Sequence, residues 1–325
     1  MDNELRQLMV PGEEVSYDPV HKAFKGFLTD YDHADLVIFG MPFDGGTFRH
    51  VGTNEGPVGI RKGLNYFRNW SAELGLNITD QIRIADIGNI DVYWNEYDRS
   101  FANLGRVVSQ IVKDGKVPLM LGGDHSATYQ AVGSLCKERN EKIGFVCFDN
   151  HLDTMSEYHG DRFYCGTPFY NLMKEYSNWI DPHNFVHIGS RGFHNSPNMW
   201  QNAAVLGFNI VTAEQVKLRG IQDVVRKAIE VASRGTSSIY LTVDIDAADA
   251  VYAPGTQCPR PCGLNSFELC YAVREVAKQR VVGFDIMEVA PRADIADVTI
   301  MLAASLLLEF IAGYAYQKFN APSKR

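Results

Sequence analysis

Eight short apolar runs recur along the chain, at 34–40, 82–86, 117–121, 143–149, 184–188, 209–212, 239–244 and 281–289. Each is four to nine residues long, nearly continuous in its apolar character and rich in Val, Ile, Phe and Tyr. A strand exposed on one face alternates apolar and polar positions, whereas one covered on both faces reads as an unbroken run. Between the runs lie amphipathic segments at 56–67, 99–113, 126–139, 220–234, 266–279 and 297–316. In 266–279, for example, Phe267, Leu269, Cys270 and Val273 form a stripe at helical spacing. Strand and helix in alternation predict an α/β fold, with a parallel sheet covered by helices on both faces. No Pro/Ser-rich linker, repeat or low-complexity segment interrupts the pattern. A single domain over 1–325 is therefore expected, with 1–33 as an N-terminal extension packed on it.

Composition narrows the class. Hydrophobic residues at 46% and charged residues at 22% are ordinary for a globular chain. The formal net charge of -8, from 31 basic and 39 acidic side chains, argues against a nucleic-acid partner. The apolar run 300–315 is interrupted by Ser305, Glu309 and Gly313, and reads as a buried or oligomer-facing helix rather than a membrane span. The first residues lack the basic-then-apolar pattern of a secretory signal. The six cysteines, Cys136, Cys147, Cys165, Cys258, Cys262 and Cys270, form no CxxC pair. Free thiols and a cytoplasmic location are expected.

In a parallel α/β sheet the functional residues lie on loops beyond the carboxyl ends of the strands. Three such ends carry metal-competent groups: Gly122-Gly123-Asp124-His125-Ser126, Asp149-Asn150-His151-Leu152-Asp153 and Asp244-Ile245-Asp246. Taken alone, the first is a capped turn and the last a common loop motif. Together they assemble two imidazoles and four carboxylates. Asp149, His151 and Asp153 alternate, so in an extended segment all three point the same way. Asp244 and Asp246 repeat that spacing, and two carboxylates on one face repel unless a cation lies between them. Mixed nitrogen and oxygen donors suit Mn, Fe, Co, Ni or Zn. Six donors exceed the needs of one ion, so a dinuclear centre is expected. The histidines His21, His33, His50, His183, His187 and His194 lack a comparable setting and read as surface or core residues.

These motifs resemble the ureohydrolase family of arginases, agmatinases and guanidinobutyrases. The resemblance runs from Gly40-Met41-Pro42-Phe43-Asp44-Gly45-Gly46-Thr47 and Glu55-Gly56-Pro57-Val58-Gly59-Ile60-Arg61 through the three strand ends. It continues to Ala253-Pro254-Gly255-Thr256, Asp285-Ile286-Met287-Glu288-Val289-Ala290-Pro291, Asp297 and Thr299. The PFD and EVAP segments favour the agmatinase-like branch over arginase proper. The resemblance implies a three-layer α/β/α sandwich with an eight-stranded parallel sheet, assembled as a homotrimer or homohexamer. It also implies two divalent ions, Mn2+ with Ni2+ as the alternative. One ion would be held by His125, Asp149, Asp153 and Asp244, and the other by Asp149, His151, Asp244 and Asp246. A hydroxide between them would attack a guanidinium carbon, with Glu288 bonding the guanidinium and Asp153 passing a proton toward the leaving amine. Agmatine or a guanidino acid such as 4-guanidinobutyrate is the expected substrate. Three other readings remain: a hydrolase of guanidine or a metformin-like biguanide, a hydrolase of a formimino compound, and a non-catalytic subunit assembled with an active paralogue.

The chain departs from the family pattern beside the centre. Cys165 stands where that branch usually has a histidine, so proton transfer falls to Asp153 alone or to His159 reaching in from the same loop, or the substrate is an unusual one. Asn150 replaces a small residue between two ligands and is a candidate substrate contact. Gln257, Cys258 and Cys262 replace small residues in the loop 254–264, and Ala250 replaces a proline. Loops 44–54, 155–169 and 190–202 are expected to line the pocket. Arg191, and with it Arg49 or Arg162, is a candidate partner for a carboxylate tail.

Overall fold

A computed structural model describes residues 9–10, 23–49, 52–93, 96–236 and 238–320. All eight apolar runs form strands: β1 Leu36–Met41, β2 Ile84–Ile90, β3 Val117–Gly122, β4 Ile143–Phe148, β5 Phe185–Ile188, β6 Asn209–Val211, β7 Ser238–Asp244 and β8 Val281–Met287. They pair in parallel in the order β2-β1-β3-β8-β7-β4-β5-β6, and Met9–Val10 adds an antiparallel edge beside β2. β2 runs further than its apolar stretch because Asn89 pairs with Gly40 on one side and Val10 on the other. β8 stops early because Glu288 turns into the left-handed region at φ 64°.

The helices are α1 Gly56–Gly63, α2 Tyr97–Lys113, α3 Ala127–Arg139, α4 Pro168–Glu175, α5 Pro197–Leu206, α6 Ala213–Arg219, α7 Ile221–Ala232, α8 Ser266–Ala277 and α9 Val298–Asn320. Side chains alternate across the sheet into two core layers. Leu36 and Ile38 of β1 pack with Ile60, Val225, Leu269 and Leu307 from α1, α7, α8 and α9. Val37 and Phe39 pack on the other face with Leu104, Val132 and Phe169 from α2, α3 and α4. The result is the three-layer α/β/α sandwich. Helices α4, α5 and α6 were not expected from periodicity. They are short, and their starts are set by Pro168, by the Ser196 cap before Pro197, and by the Thr212–Gln215 capping box.

Helix α9 is buried, as expected for the run 300–315, and extends past it to Asn320. At 23 residues it is long and apolar enough to cross a membrane by length and composition, but 72% of its most apolar window is buried inside the fold. Phe310 stacks on Phe284 of β8 at 4.3 Å, so the apolar surface is core packing. Of the N-terminal extension, Met9–Val10 and 23–33 are described, and Phe24 is fully buried in the core. The remainder of that extension, with His21, and also His50 lie outside the described residues.

Candidate metal centre

Strands β3, β8, β7 and β4 are consecutive in the sheet. Their carboxyl ends therefore bring four separate stretches of sequence to one place. Beyond β3, Gly123 is required because a Cβ there would lie 1.8 Å from the Phe43 carbonyl oxygen. That close approach lets Asp124 N–H bond Phe43 O at 2.8 Å and fixes the loop that carries His125.

The other two ends converge by turns, not by the extended alternation expected for them. His151 N–H donates to Asp149 Oδ1 at 2.6 Å, and Asp246 N–H donates to Asp244 Oδ1 at 2.8 Å. Each is an aspartate bonding the backbone two residues on, which bends the chain. Asp153 then adopts φ 50° and residues 245–247 form a 3-10 turn. In both turns one carboxylate oxygen holds the backbone and the other is left for a ligand.

His125 Nδ1 lies 3.1 Å from Asp149 Oδ2, 3.2 Å from Asp153 Oδ2 and 3.4 Å from Asp244 Oδ2. His151 Nδ1 lies 3.0 Å from Asp246 Oδ2 and 3.8 Å from Asp149 Oδ1. His125 and Asp149 are fully buried, and the other three aspartates are nearly so. Yet His125 Nδ1 and Asp149 Oδ2 make no hydrogen bond. Burying such atoms unpaired is costly, so a cation between them is the natural partner. Burial, then repulsion from Asp153 and Asp244, pushes Asp149 well above the usual carboxylate range. Burial and Asp246 push Asp244 up to about 7. Burial raises Asp246 too, but the charge and hydrogen bond of His151 outweigh it and hold the acid at about 2. Without cations the cluster must retain protons. The donors group as His125/Asp149/Asp244 and Asp149/His151/Asp246, each with its ligand atoms within 4.8 Å of one another. Two sets sharing Asp149 fit two ions.

A hydrogen-bond chain behind the ligands fixes His125. Its Nε2 faces Thr242 Oγ1 at 3.0 Å, and the Thr242 hydroxyl donates to Asp285. Asp285 also accepts from Thr128 at 3.0 Å and Tyr240 at 2.7 Å. A proton on Nε2 leaves the Nδ1 lone pair for a metal. His187 is buried and donates through Nε2 to the His151 carbonyl at 2.6 Å. Burial lowers its pKa to about 4, so it is neutral.

The centre opens into a cavity of ≈ 230 Å³. Phe48 comes from loop 44–54, Met155, Tyr164 and Cys165 from loop 155–169, and His194, Ser196 and Met199 from 190–202. Loop 254–264 adds Gln257 and Cys258. Glu288 accepts from His125 N–H at 3.0 Å and from Gln257 Nε2 at 3.1 Å. Its positive φ, like that of Asp153, is a strained conformation for a non-glycine residue. Cys165 is buried and accepts from Gln257 Nε2 at 3.4 Å. Burial, then the charges of Glu288 and Asp153, pushes the thiol well above its usual range. It is a neutral group at the wall, not a thiolate.

Four expected substrate or catalytic contacts lie elsewhere. His159 is exposed: the bridge between Tyr158 and Asp161 turns it outward against the Tyr158 ring, away from the cavity. Arg191 donates to the carbonyls of Asp246 at 2.8 Å, Ala248 at 2.9 Å and Pro261 at 3.0 Å, so it braces the Asp246 turn instead of meeting a substrate. Asn150 is fully buried behind the ligands, where its N–H donates to Asp246 Oδ1 at 3.2 Å, and it does not line the cavity. Arg162 pairs with Glu175. His194 was read as an ordinary histidine but lies at the mouth, its ring 5.0 Å from that of His151. Nothing local in the sequence distinguishes it.

The family model "Arginase family" matches residues 34–313. The mitochondrial agmatinase of Gallus gallus is 32% identical over 283 residues, covering 87% of this chain and 82% of that protein. The proclavaminate amidinohydrolase of Streptomyces clavuligerus is 33% identical over 284 residues, covering 86% and 88%. Its solved structure superposes with a TM-score of 0.82, covering 96% of this chain and 99% of that one. The formimidoylglutamase of Bacillus subtilis superposes at 0.85 with 27% identity, covering 96% and 98%. Sequence and fold thus agree over nearly nine-tenths of the chain, and it belongs to the arginase family.

Proposed function

We propose that the chain hydrolyses a carbon–nitrogen bond of a guanidino compound, releasing urea and an amine. The observation that carries this reading is the pair of ligand sets sharing Asp149, with Glu288 lining the same cavity. The agmatinase and amidinohydrolase names of its relatives agree with it. Two divalent ions in those sets would lower the pKa of water toward about 7 and so supply a nucleophile at neutral pH. Mn2+ suits a donor set dominated by carboxylates, and Ni2+ is the alternative.

The chain's own groups do the rest. Glu288, held by His125 N–H and Gln257, offers a fixed carboxylate to a planar guanidinium, a geometry suited to paired charge-assisted hydrogen bonds. Asp153 faces both His125 and the cavity, and accepts a proton from the attacking water for delivery to the leaving nitrogen. Burial excludes competing solvent. Cys165 takes no proton in this scheme. A homotrimer or homohexamer and a cytoplasmic location accord with the family resemblance and the six free cysteines. Metal analysis together with urea release over a guanidino panel tests the proposal. Two bound ions with no urea from any guanidino compound would sink it.

A further inference from the structure

Resting on the guanidino-hydrolase reading, we infer that the substrate is a small guanidinium whose substituent is uncharged, and that Gln257 is a residue that selects it.

The cavity's charges are already committed. Its acidic residues are Asp153, Asp244 and Asp246 at the metal sets, and Glu288. One carboxylate therefore remains for one guanidinium. No lysine or arginine lines the cavity among the described residues. The nearby cations face other partners: Arg191 is spent on backbone carbonyls, Arg260 contacts His194 and Pro259 O, and Arg49 donates to Gln257 O at 3.2 Å. A guanidino acid would bring a carboxylate that meets no lysine or arginine of the wall among the described residues. An aminoalkyl guanidine would bring an ammonium with no second free carboxylate. Either tail would be desolvated without an opposite charge beside it, which is costly.

Apart from His194 and Ser196, what the wall offers beyond the centre is largely apolar. Phe48, Met155, Tyr164 and Met199 flank the cavity. Each substrate methylene buried there should improve binding roughly fourfold. The volume of ≈ 230 Å³ lies below the ~300–1,000 Å³ of ordinary ligand pockets, so the substituent is short.

Gln257 supplies the polar complement. Its Nε2 donates to Glu288 Oε2 and Cys165 Sγ, two acceptors that fix the amide's orientation. The opposite orientation would set its oxygen against the Glu288 carboxylate. Oε1 is thereby left without a partner, on a side chain only 5% exposed that lines the cavity. A guanidinium bound to Glu288 has further N–H groups, and the Gln257 amide, bonded to Glu288, holds a buried free acceptor beside them. The reaction balances simply. Water adds its oxygen to the guanidinium carbon, the bond to the substituted nitrogen breaks, and a proton passes to that nitrogen. The products are urea and an uncharged-tail amine in its protonated form, or ammonium from guanidine itself.

The test uses the full-length protein loaded with Mn2+ or Ni2+. Urea release is measured for guanidine, methylguanidine, N,N-dimethylguanidine and propylguanidine, against 3-guanidinopropionate, 4-guanidinobutyrate, arginine and agmatine. An uncharged guanidine should exceed every charged-tail compound in kcat/KM by at least about tenfold. Gln257→Leu should raise KM for the preferred guanidine about tenfold with a smaller change in kcat, while both ions stay bound. A charged-tail compound turned over best would overturn the inference and leave the guanidino-hydrolase reading standing. An Arg49→Ala loss confined to guanidino acids would then name the missed cation. Unchanged KM in Gln257→Leu would remove Gln257 from the selection. Urea from none of the eight with two ions bound defeats the underlying reading instead.

Discussion

Thr242→Val separates the hydrogen-bond chain behind the centre from the centre itself. Thr242 touches no ligand position in the cavity; it accepts from His125 Nε2 at 3.0 Å and donates to Asp285. Valine keeps the shape but strands the His125 N–H in a fully buried site and removes one of the three hydroxyls that Asp285 accepts from. An unsatisfied buried donor costs about 1–3 kcal/mol. Losing the partner that orients a metal-bound histidine typically weakens affinity about 10–100-fold, which is the same range. The loss should fall on one ion. The set containing His125 loses its support, whereas the set containing His151 keeps the His187 contact to its backbone carbonyl. Titrating metal-free protein with Mn2+ against a competing chelator dye reads both sites. Wild type should bind two ions, and the variant should hold one normally and the other about 10–100-fold more weakly. Two ions bound at wild-type affinity would refute the role given to this chain. So would loss of both ions together with a lower melting temperature of the metal-free protein, since that pattern means a damaged fold.

Asp153→Asn keeps a residue that tolerates the left-handed conformation of this position while removing the charge. Turnover should fall by about 10²–10⁴-fold, the usual contribution of a positioned acid–base group, with the melting temperature of the metal-free protein little changed; full activity would clear Asp153 of proton transfer. His187 should impose a pH dependence on stability. Its folded pKa of about 4 lies below the ordinary 6.5, so its contribution is complete above about pH 6.5 and is lost as pH falls toward 4. The shift corresponds to about 3 kcal/mol. His187→Gln retains a donor toward the His151 carbonyl without titrating there. Melting curves between pH 7 and 4 should therefore fall more steeply for wild type than for the variant, and parallel curves would refute the assignment.

The chain's pattern of apolar runs was enough for eight strands, six helices and the class of fold, because burial on both faces demands unbroken apolar strands and helical burial demands a stripe. Helices α4, α5 and α6 escaped that reading. Their signals are caps and prolines at Pro168, Ser196-Pro197 and Thr212, which mark a start but carry too few turns for periodicity. The metal donors were likewise legible from where they fall at strand ends, although the expected extended geometry was replaced by two aspartate turns. A turn of that kind places residues i and i+2 together as alternation does, so spacing alone does not distinguish the two.

Sequence by itself determined which residues end each strand, and therefore which chemistry each loop carries. Local chain physics suffices for that, since strand ends and turn residues are neighbours along the backbone. Tertiary structure alone decided that β3, β8, β7 and β4 are adjacent. It decided that Thr242 and Asp285 stand behind His125, that His159 faces solvent, and that Arg191 braces a turn. It also left Gln257, a residue of the cavity wall, with one buried and unpartnered oxygen. These are contacts between residues as many as 163 apart, as for Glu288 with the His125 backbone. They depend on strand order and on which polar atoms remain unpaired after packing, and neither quantity exists until the sheet has closed around them.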